Sequence, residues 1–449
     1  MARPTLEGLP AELHIQILFQ IDDLSSLKSI VHSSPKFHQS YLIVRKKVLF
    51  SIARSIYGPH INDAVVAIRT RGLYIQHYKQ EAIAMLDAWR RNEEIKALNL
   101  TPSIRTDILK NIEEVMELFH LAKILGFFLA DYAKTLPRPE WIDQDKWATE
   151  MIPIELSDTE KYRLTRAFCR LQIMSNVFGH VDALSKETPE SWVIPRNEWP
   201  TLGIYEPYLD FRQDAYLLFW GVVPLWEYDE MGCLVAYMRR KISSFYKEIR
   251  DGIHDLIERN VPKGTWGREW FETLPEEFNL PYTRLSSVEN LEDMDSYTDC
   301  LISMGPTFVY RFLQASPLLK RDLFLANVDS TLFEPYIGEI NPFHFDWEKS
   351  PLLYPADRFA VPNYVEVWEK LPIVEQPSPG WKKLQWDPED LHAAYQIPGV
   401  PIIDSVDLYS PNEFGWEWGH AIWDEGRLEQ WKVPIPRRGQ NGQADAISS

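Results

Sequence analysis

The chain has 449 residues, 13% of which are aromatic, and its formal net charge is −18. This many large rings can fill a sizeable core, which excludes a largely disordered protein. Residues 1–60 carry seven Lys and Arg against four Asp and Glu, so the rest of the chain is more acidic than the total suggests. The acidic balance argues against nucleic acid as a partner, since phosphate binding needs an excess of cations.

Secreted and membrane classes are not indicated. The three cysteines, Cys169, Cys233 and Cys300, lie too far apart for a disulfide framework or a zinc site, and we expect buried thiols. The N-terminus lacks the apolar core of a signal peptide. The most apolar stretches, 121–133 and 216–226, are shorter than the roughly 20 residues of a membrane span. We expect an intracellular, soluble protein of the cytoplasm or nucleus, without membrane contact.

The first fifty residues have the pattern of three short helices. Leu13, Ile17 and Ile21 recur every four residues, which predicts one apolar helical stripe. Asp22 or Asp23 can cap a second helix, and a third starts near Pro35. These helices hold too few residues for an independent core, so we expect them to dock on something.

Helical patterns also dominate residues 60–330. Residues 106–134 predict one long, largely buried helix, and further helices are expected near 205–220, 227–258 and 297–315. Ser157-Asp158-Thr159-Glu160 has the form of a capping box, which predicts a helix start there. The fold class predicted is therefore mainly α.

The C-terminal region differs in composition. Six prolines between residues 351 and 380 predict an extended connection, and four tryptophans follow within residues 416–431. So many tryptophans are unfavourable in water, so we expect this tail to pack on the helical body. The predicted division is residues 1–52, a helical body at 53–350, and a proline-rich connection with a Trp-rich tail at 351–449.

Patterns of known chemistry are mostly missing from the sequence. It has no Walker loop, no Gly-x-Ser-x-Gly elbow and no His-Glu-x-x-His pair. His344, Asp346 and the distant His420 follow the ligand order of a non-haem iron triad. That site normally lies in a β-barrel, so the favoured interpretation is an aromatic turn near the tail. We therefore expect no cofactor, no metal and no catalytic residue.

The N-terminal string LEGLPAELHIQILFQIDDLSSLKSIVHSSPKFHQSY, residues 6–41, resembles the F-box. It has Leu-Pro-x-Glu-Leu, an Ile-Leu pair, an Asp-Leu step, a Leu-x-x-Ile step and a Ser-x-x-Phe close, in that order. The resemblance implies docking on the Skp adaptor, and through it on a cullin. Carried over by position, the docking residues are Leu9, Pro10, Leu13, Ile17, Leu18, Leu24, Leu27 and Ile30.

The rest of the chain resembles the large filamentous-fungal group of F-box proteins with a helical C-terminal region. The similarity lies in residues 156–179, 224–238 and 415–431. It implies a substrate receptor of a Skp–cullin–F-box ubiquitin ligase that recruits an unknown protein, while partner subunits carry out catalysis. The alternatives are an F-box scaffold that does not lead to ubiquitination and, more remotely, a non-haem iron enzyme.

Overall fold

The computed structural model describes residues 6–97, 111–182, 184, 214–215, 218–219, 223–260, 294–327, 369, 371–385 and 413–434. All regular secondary structure within these ranges is helical, and they contain no strand. The predicted mainly α class is therefore confirmed. In these ranges, no helix is both long and apolar enough to cross a membrane.

The helices follow one another with short connections through most of the described chain. A 3-10 turn at Leu6–Gly8 precedes the first helix, another lies at Gly58–His60, and a π-helical turn at Trp147–Met151 follows α7. The α-helices are α1 (Ala11–Phe19), α2 (Leu24–Ser33), α3 (Pro35–Tyr57), α4 (Ile61–Arg69), α5 (Lys79–Ala97), α6 (Ile112–Thr135), α7 (Gln144–Lys146), α8 (Asp158–Phe178), α9 (Leu225–Asn260), α10 (Met294–Ser303), α11 (Pro306–Gln314), α12 (Pro317–Asn327), α13 (Pro379–Gln385), α14 (Glu413–Glu417) and α15 (Glu425–Trp431).

The three predicted N-terminal helices are present, and Asp23 caps the second as expected. Pro10 is the N-cap of α1. Asp23 caps α2 by accepting a 2.8 Å hydrogen bond from the Ser26 amide, and Ser34 caps α3, which starts at Pro35. Both α1 and α2 pack on α3. The three helices therefore form one unit around the third.

Helix α3 continues from this unit into the body. Its C-terminal half buries Val48, Ile52 and Tyr57 and packs against α6. The Tyr57 hydroxyl donates a 2.7 Å hydrogen bond to the Leu118 carbonyl oxygen of α6. The boundary expected after residue 52 thus lies inside a continuous helix, and the N-terminal unit shares one hydrophobic cluster with the body.

Two of the helix predictions are refined by the structure, and a third is confirmed. The helix predicted for 106–134 is α6, which starts after its N-cap Asn111. The region predicted as one helix at 297–315 contains α10 and α11, because Gly305 adopts a φ of +91° and Pro306 starts a new helix. Helix α9 confirms the prediction for 227–258, whereas most of 205–220 lies outside the described residues.

Helix α8 is the centre of the body. Ser157 and Glu160 form the predicted capping box at its start, and Gly179 is its C-cap. Nearly every side chain of α8 is buried, because α4 packs on one side of it and α9 on another. A helix buried all round has few water-facing positions, so its charged side chains need internal partners.

The Trp-rich tail packs on this body, as predicted. Trp416, Trp423 and Trp431 expose 2%, 0% and 3% of their surface. The Trp416 ring lies against α9 at Gly232, where a Cβ atom would come within 2.2 Å of the ring. Trp423 and Trp431 pack near aromatic rings of the body, at Tyr132 of α6 and at Trp147 after α7. The described part of the tail, residues 413–434, therefore packs into the core.

Candidate docking surface

The segment before α1 is held against the N-terminal unit by two side chains. His14 Nε2 lies 2.8 Å from the Leu6 carbonyl oxygen, and the His14 ring packs on Phe37 of α3 at 4.4 Å between centroids. Lys36 Nζ donates a 2.7 Å hydrogen bond to the Glu7 carbonyl oxygen. The backbone that leads into α1 therefore has a defined path, while the Leu6 side chain stays 62% exposed.

The structure divides the eight proposed docking residues into two groups. Leu18 and Leu27 are 0% and 3% exposed and belong to the core between α1, α2 and α3. They are inaccessible to a partner in this arrangement. Of the other six, Pro10, Leu13 and Leu24 are exposed, whereas Leu9, Ile17 and Ile30 are half-buried, and Ile17 and Ile30 also pack against the core. We call these six the outer face of α1 and α2.

Helical geometry explains this division on α1. Leu13 and Ile17 are four residues apart, so they lie on nearly the same side of the helix. Leu18 follows Leu13 by five residues, about 140° around the axis, which turns it towards α3. Leu13 keeps 40% of its surface exposed. Burying such a side chain against a partner would contribute roughly 1.5–3 kcal/mol if it were fully covered.

A cluster of buried, charged side chains connects helices of the body. We call it the ion cluster. Arg166 of α8 makes a bidentate pair with Glu230 of α9, with N–O distances of 2.6 and 2.8 Å, and lies 3.0 Å from Glu227. Arg170 of α8 pairs with Glu227 and with Asp63 of α4. The cluster therefore connects α4, α8 and α9.

The charges of this cluster do not balance. Glu375 lies 3.6 Å from Arg166, so the two arginines face four carboxyl groups. Burial raises the pKa of Glu227 to about 8, against the opposing pull of Arg166 and Arg170. A proton held at Glu227 reduces the excess negative charge near neutral pH. The side chains of both arginines, Glu227 and Glu230 are at most 3% exposed, whereas that of Glu375 is 14% exposed.

A second polar cluster fixes the tail to the start of α8. Asp424 accepts hydrogen bonds from the hydroxyls of Ser157 and Thr159, both at 2.5 Å, and from Arg163 at 2.7 Å. Arg427 makes a bidentate pair with Glu160, with both N–O distances at 2.7 Å. The capping box of α8 is thus also the attachment point of the tail.

The residues of the iron alternative are only partly within the described chain. His344 and Asp346 lie outside it. His420 is fully buried, with Nε2 3.9 Å from an Asp229 carboxylate oxygen, and burial lowers its pKa. In the part of the chain that the structure describes, no group of three or more His, Cys, Asp or Glu is placed to hold a metal. The three cysteines are free and buried, as predicted.

Two features of the site region were not predicted. The ion cluster had a signal in the sequence, since Arg166 and Arg170 are four residues apart in an apolar helix and Glu227 and Glu230 are three apart. Leu42 and Ile43 of α3 are 56% and 73% exposed, which the sequence pattern does not distinguish from core positions.

Comparison with protein-family models, with curated proteins and with solved structures gives no match to this chain.

Proposed function

We propose that this chain is an F-box adaptor, the substrate receptor of a Skp–cullin–F-box ubiquitin ligase. The supporting observation is the outer face of α1 and α2. The residues that resemble the motif fold into three helices, and Pro10, Leu13 and Leu24 remain exposed there. Exposed apolar side chains on an ordered three-helix unit favour a protein partner over a role as a simple cap of the body.

The contribution of such a receptor is proximity. The outer face binds the Skp adaptor, and the body holds the recruited protein near the loaded conjugating enzyme. The effective concentration of the target lysines rises because a second binding event on a tethered molecule is intramolecular. No residue of this chain has to take part in ubiquitin transfer, which other subunits carry out.

The fold also favours a rigid connection between the two ends. Helix α3 runs from the N-terminal unit into the body without a break, and Tyr57 fixes its end to α6. A receptor with a rigid joint holds its cargo at a defined distance and angle from the adaptor. Deleting residues 1–50 is therefore a poor test of docking, since it removes Val48 and Leu49 from the shared core.

A sharper experiment changes only the outer face. The chain is co-expressed with the Skp adaptor and the cullin, and both are measured in the purified complex for wild type and for the Leu13→Asp/Leu24→Asp variant. Leu318→Asp/Leu319→Asp is the matched control, because these two leucines of α12 are also exposed, by 70% and 46%. We expect Leu13→Asp/Leu24→Asp to lose both the Skp adaptor and the cullin, and the control variant to keep them.

The same complex separates the ligase receptor from the scaffold alternative. Recovery of the Skp adaptor together with the cullin supports the receptor. Recovery of the adaptor without the cullin supports a scaffold that does not lead to ubiquitination. Equal recovery of both partners with wild type and with Leu13→Asp/Leu24→Asp would contradict the proposal that the outer face binds the Skp adaptor.

A further inference from the structure

The back of α3 carries an exposed apolar pair within a basic stretch. Leu42 and Ile43 are 56% and 73% exposed, and the exposed Arg45 and Lys47 lie two and four residues after Ile43. We define the back face of α3 as these four residues. A single exposed apolar side chain is common on protein surfaces, but two adjacent apolar side chains with cations beside them form an amphipathic patch.

This patch is separate from the outer face of α1 and α2. Phe37 is buried and its ring packs on His14 of α1, so Phe37 marks the side of α3 on which α1 packs. Leu42 and Ile43 follow Phe37 by five and six residues, about 140° and 240° around the helix. Their midpoint is therefore opposite the packed side, so a partner there would leave α1 and α2 free.

The sequence that contains the patch carries charges of one sign. Residues 24–62 contain six Lys and Arg and no Asp or Glu, in a chain whose net charge is −18. A basic patch attracts an acidic partner and speeds its association, while exposed apolar side chains supply contacts that electrostatics alone does not give.

From this arrangement we propose that the back face of α3 is a second interaction surface, which binds an acidic protein segment with apolar side chains on one side. The stretch from residue 39 to residue 54 is about 24 Å long at 1.5 Å per residue, enough for four turns of a partner helix. A membrane surface fits less well, because two apolar side chains are a small insertion for stable lipid binding.

The probe is a labelled helical peptide of about sixteen residues, with leucine along one side and glutamate elsewhere. Its binding to the full chain is followed by fluorescence anisotropy. A peptide with glutamine in place of glutamate and phosphatidylserine–phosphatidylcholine vesicles are tested in parallel. We expect binding of the acidic peptide that weakens as salt is added, because exposed charges are screened.

Three variants locate the binding. Leu42→Ser/Ile43→Ser removes the apolar pair, and Arg45→Glu/Lys47→Glu reverses the charge. Lys123→Glu/Lys146→Glu makes the same change in net charge at two exposed lysines elsewhere. We expect a loss of affinity of about tenfold or more for the first two variants and less than about threefold for the third. Equal melting temperatures establish that all three are folded.

The results separate this inference from the proposed function. Leu13→Asp/Leu24→Asp should still bind the peptide, and Leu42→Ser/Ile43→Ser should still bind the Skp adaptor. The inference is overturned if the acidic peptide does not bind, or if it binds all variants equally. Binding to the vesicles alone, lost in Arg45→Glu/Lys47→Glu, would assign the patch to membranes and also overturn it.

Discussion

Leu13 and Leu18 lie on the same helix and face opposite environments. Leu13 on α1 is 40% exposed, whereas Leu18 is fully buried between α1 and α3. The F-box pattern alone gives both the same role. The structure separates the residue that a partner can reach from the residue that holds the helix in place, and the two should respond differently to substitution.

Leu18→Ala should destabilise the protein, and Leu13→Ala should not. Truncating a buried leucine leaves a cavity and costs about 2–5 kcal/mol, while an exposed leucine contributes less than about 1 kcal/mol to folding. Urea denaturation measures the free energy of unfolding of both variants. A loss for Leu13→Ala as large as that for Leu18→Ala would mean that α1 packs differently.

The Asp229 carboxylate joins two distant tryptophans to α9. Its two oxygens accept hydrogen bonds from the indole N–H groups of Trp381 and Trp416, both at 2.7 Å. Asp229→Ala should lower the free energy of unfolding by about 2–5 kcal/mol, because two buried donors lose their acceptor. Urea denaturation followed by tryptophan fluorescence measures this loss. Asp322→Ala, at an exposed position of α12, should change it by less than about 0.5 kcal/mol.

Arg427 should matter for the attachment of the tail. Its bidentate partner Glu160 is 1% exposed, so Arg427→Ala leaves a buried carboxylate with weaker support and should cost about 2 kcal/mol. Lys161→Ala is the control, because the pair of Lys161 with Asp158 is largely exposed and worth less than about 1 kcal/mol. Limited proteolysis should cleave Arg427→Ala near the tail faster than wild type. Equal cleavage rates for Arg427→Ala and Lys161→Ala would argue against a role of the Arg427–Glu160 pair in attaching the tail.

The ion cluster predicts a pH dependence of stability. Burial raises the pKa of Glu227 from its ordinary 4.5 to about 8. Between these values the folded state holds a proton that the unfolded chain releases, so this stabilisation is complete below pH 4.5 and is lost as the pH rises through 8. Glu227→Gln has a neutral side chain at every pH, so its stability should fall less as the pH rises. Thermal unfolding of wild type and variant at about pH 6 and about pH 9 measures this fall in stability. The prediction is wrong if wild type and variant decline equally.

Regular helices could be predicted from the sequence because periodicity and caps are local signals. The starts of α2, α3 and α8 follow from Asp23, Ser34 and the capping box at Ser157. The burial of the tail followed from composition, since Trp423 and its neighbours have too much apolar surface to leave in water. Each of these inferences needs only residues that are close in the sequence.

The features that could not be predicted from the sequence depend on packing between distant parts of the chain. Whether Leu18 or Leu13 faces outward is decided by α3, more than fifteen residues away in the chain. Two partners of Arg166, Glu227 and Glu230, lie on α9, far from α8 in the sequence, where the periodicity of a single helix gives no information. The break between α10 and α11 depends on Gly305, where a Cβ atom would come within 2.7 Å of the Ser175 side chain of α8. Patterns within single helices do not contain this information.

The most direct test of the account is the affinity of the purified chain for the purified Skp adaptor, measured by isothermal titration calorimetry. We expect one-to-one binding by wild type, and Leu13→Asp/Leu24→Asp should lower the affinity by about a hundredfold or more, since two anchors are lost and charges are buried. Leu318→Asp/Leu319→Asp should bind as wild type does. No binding by wild type, or equal affinity of wild type and Leu13→Asp/Leu24→Asp, would contradict the account.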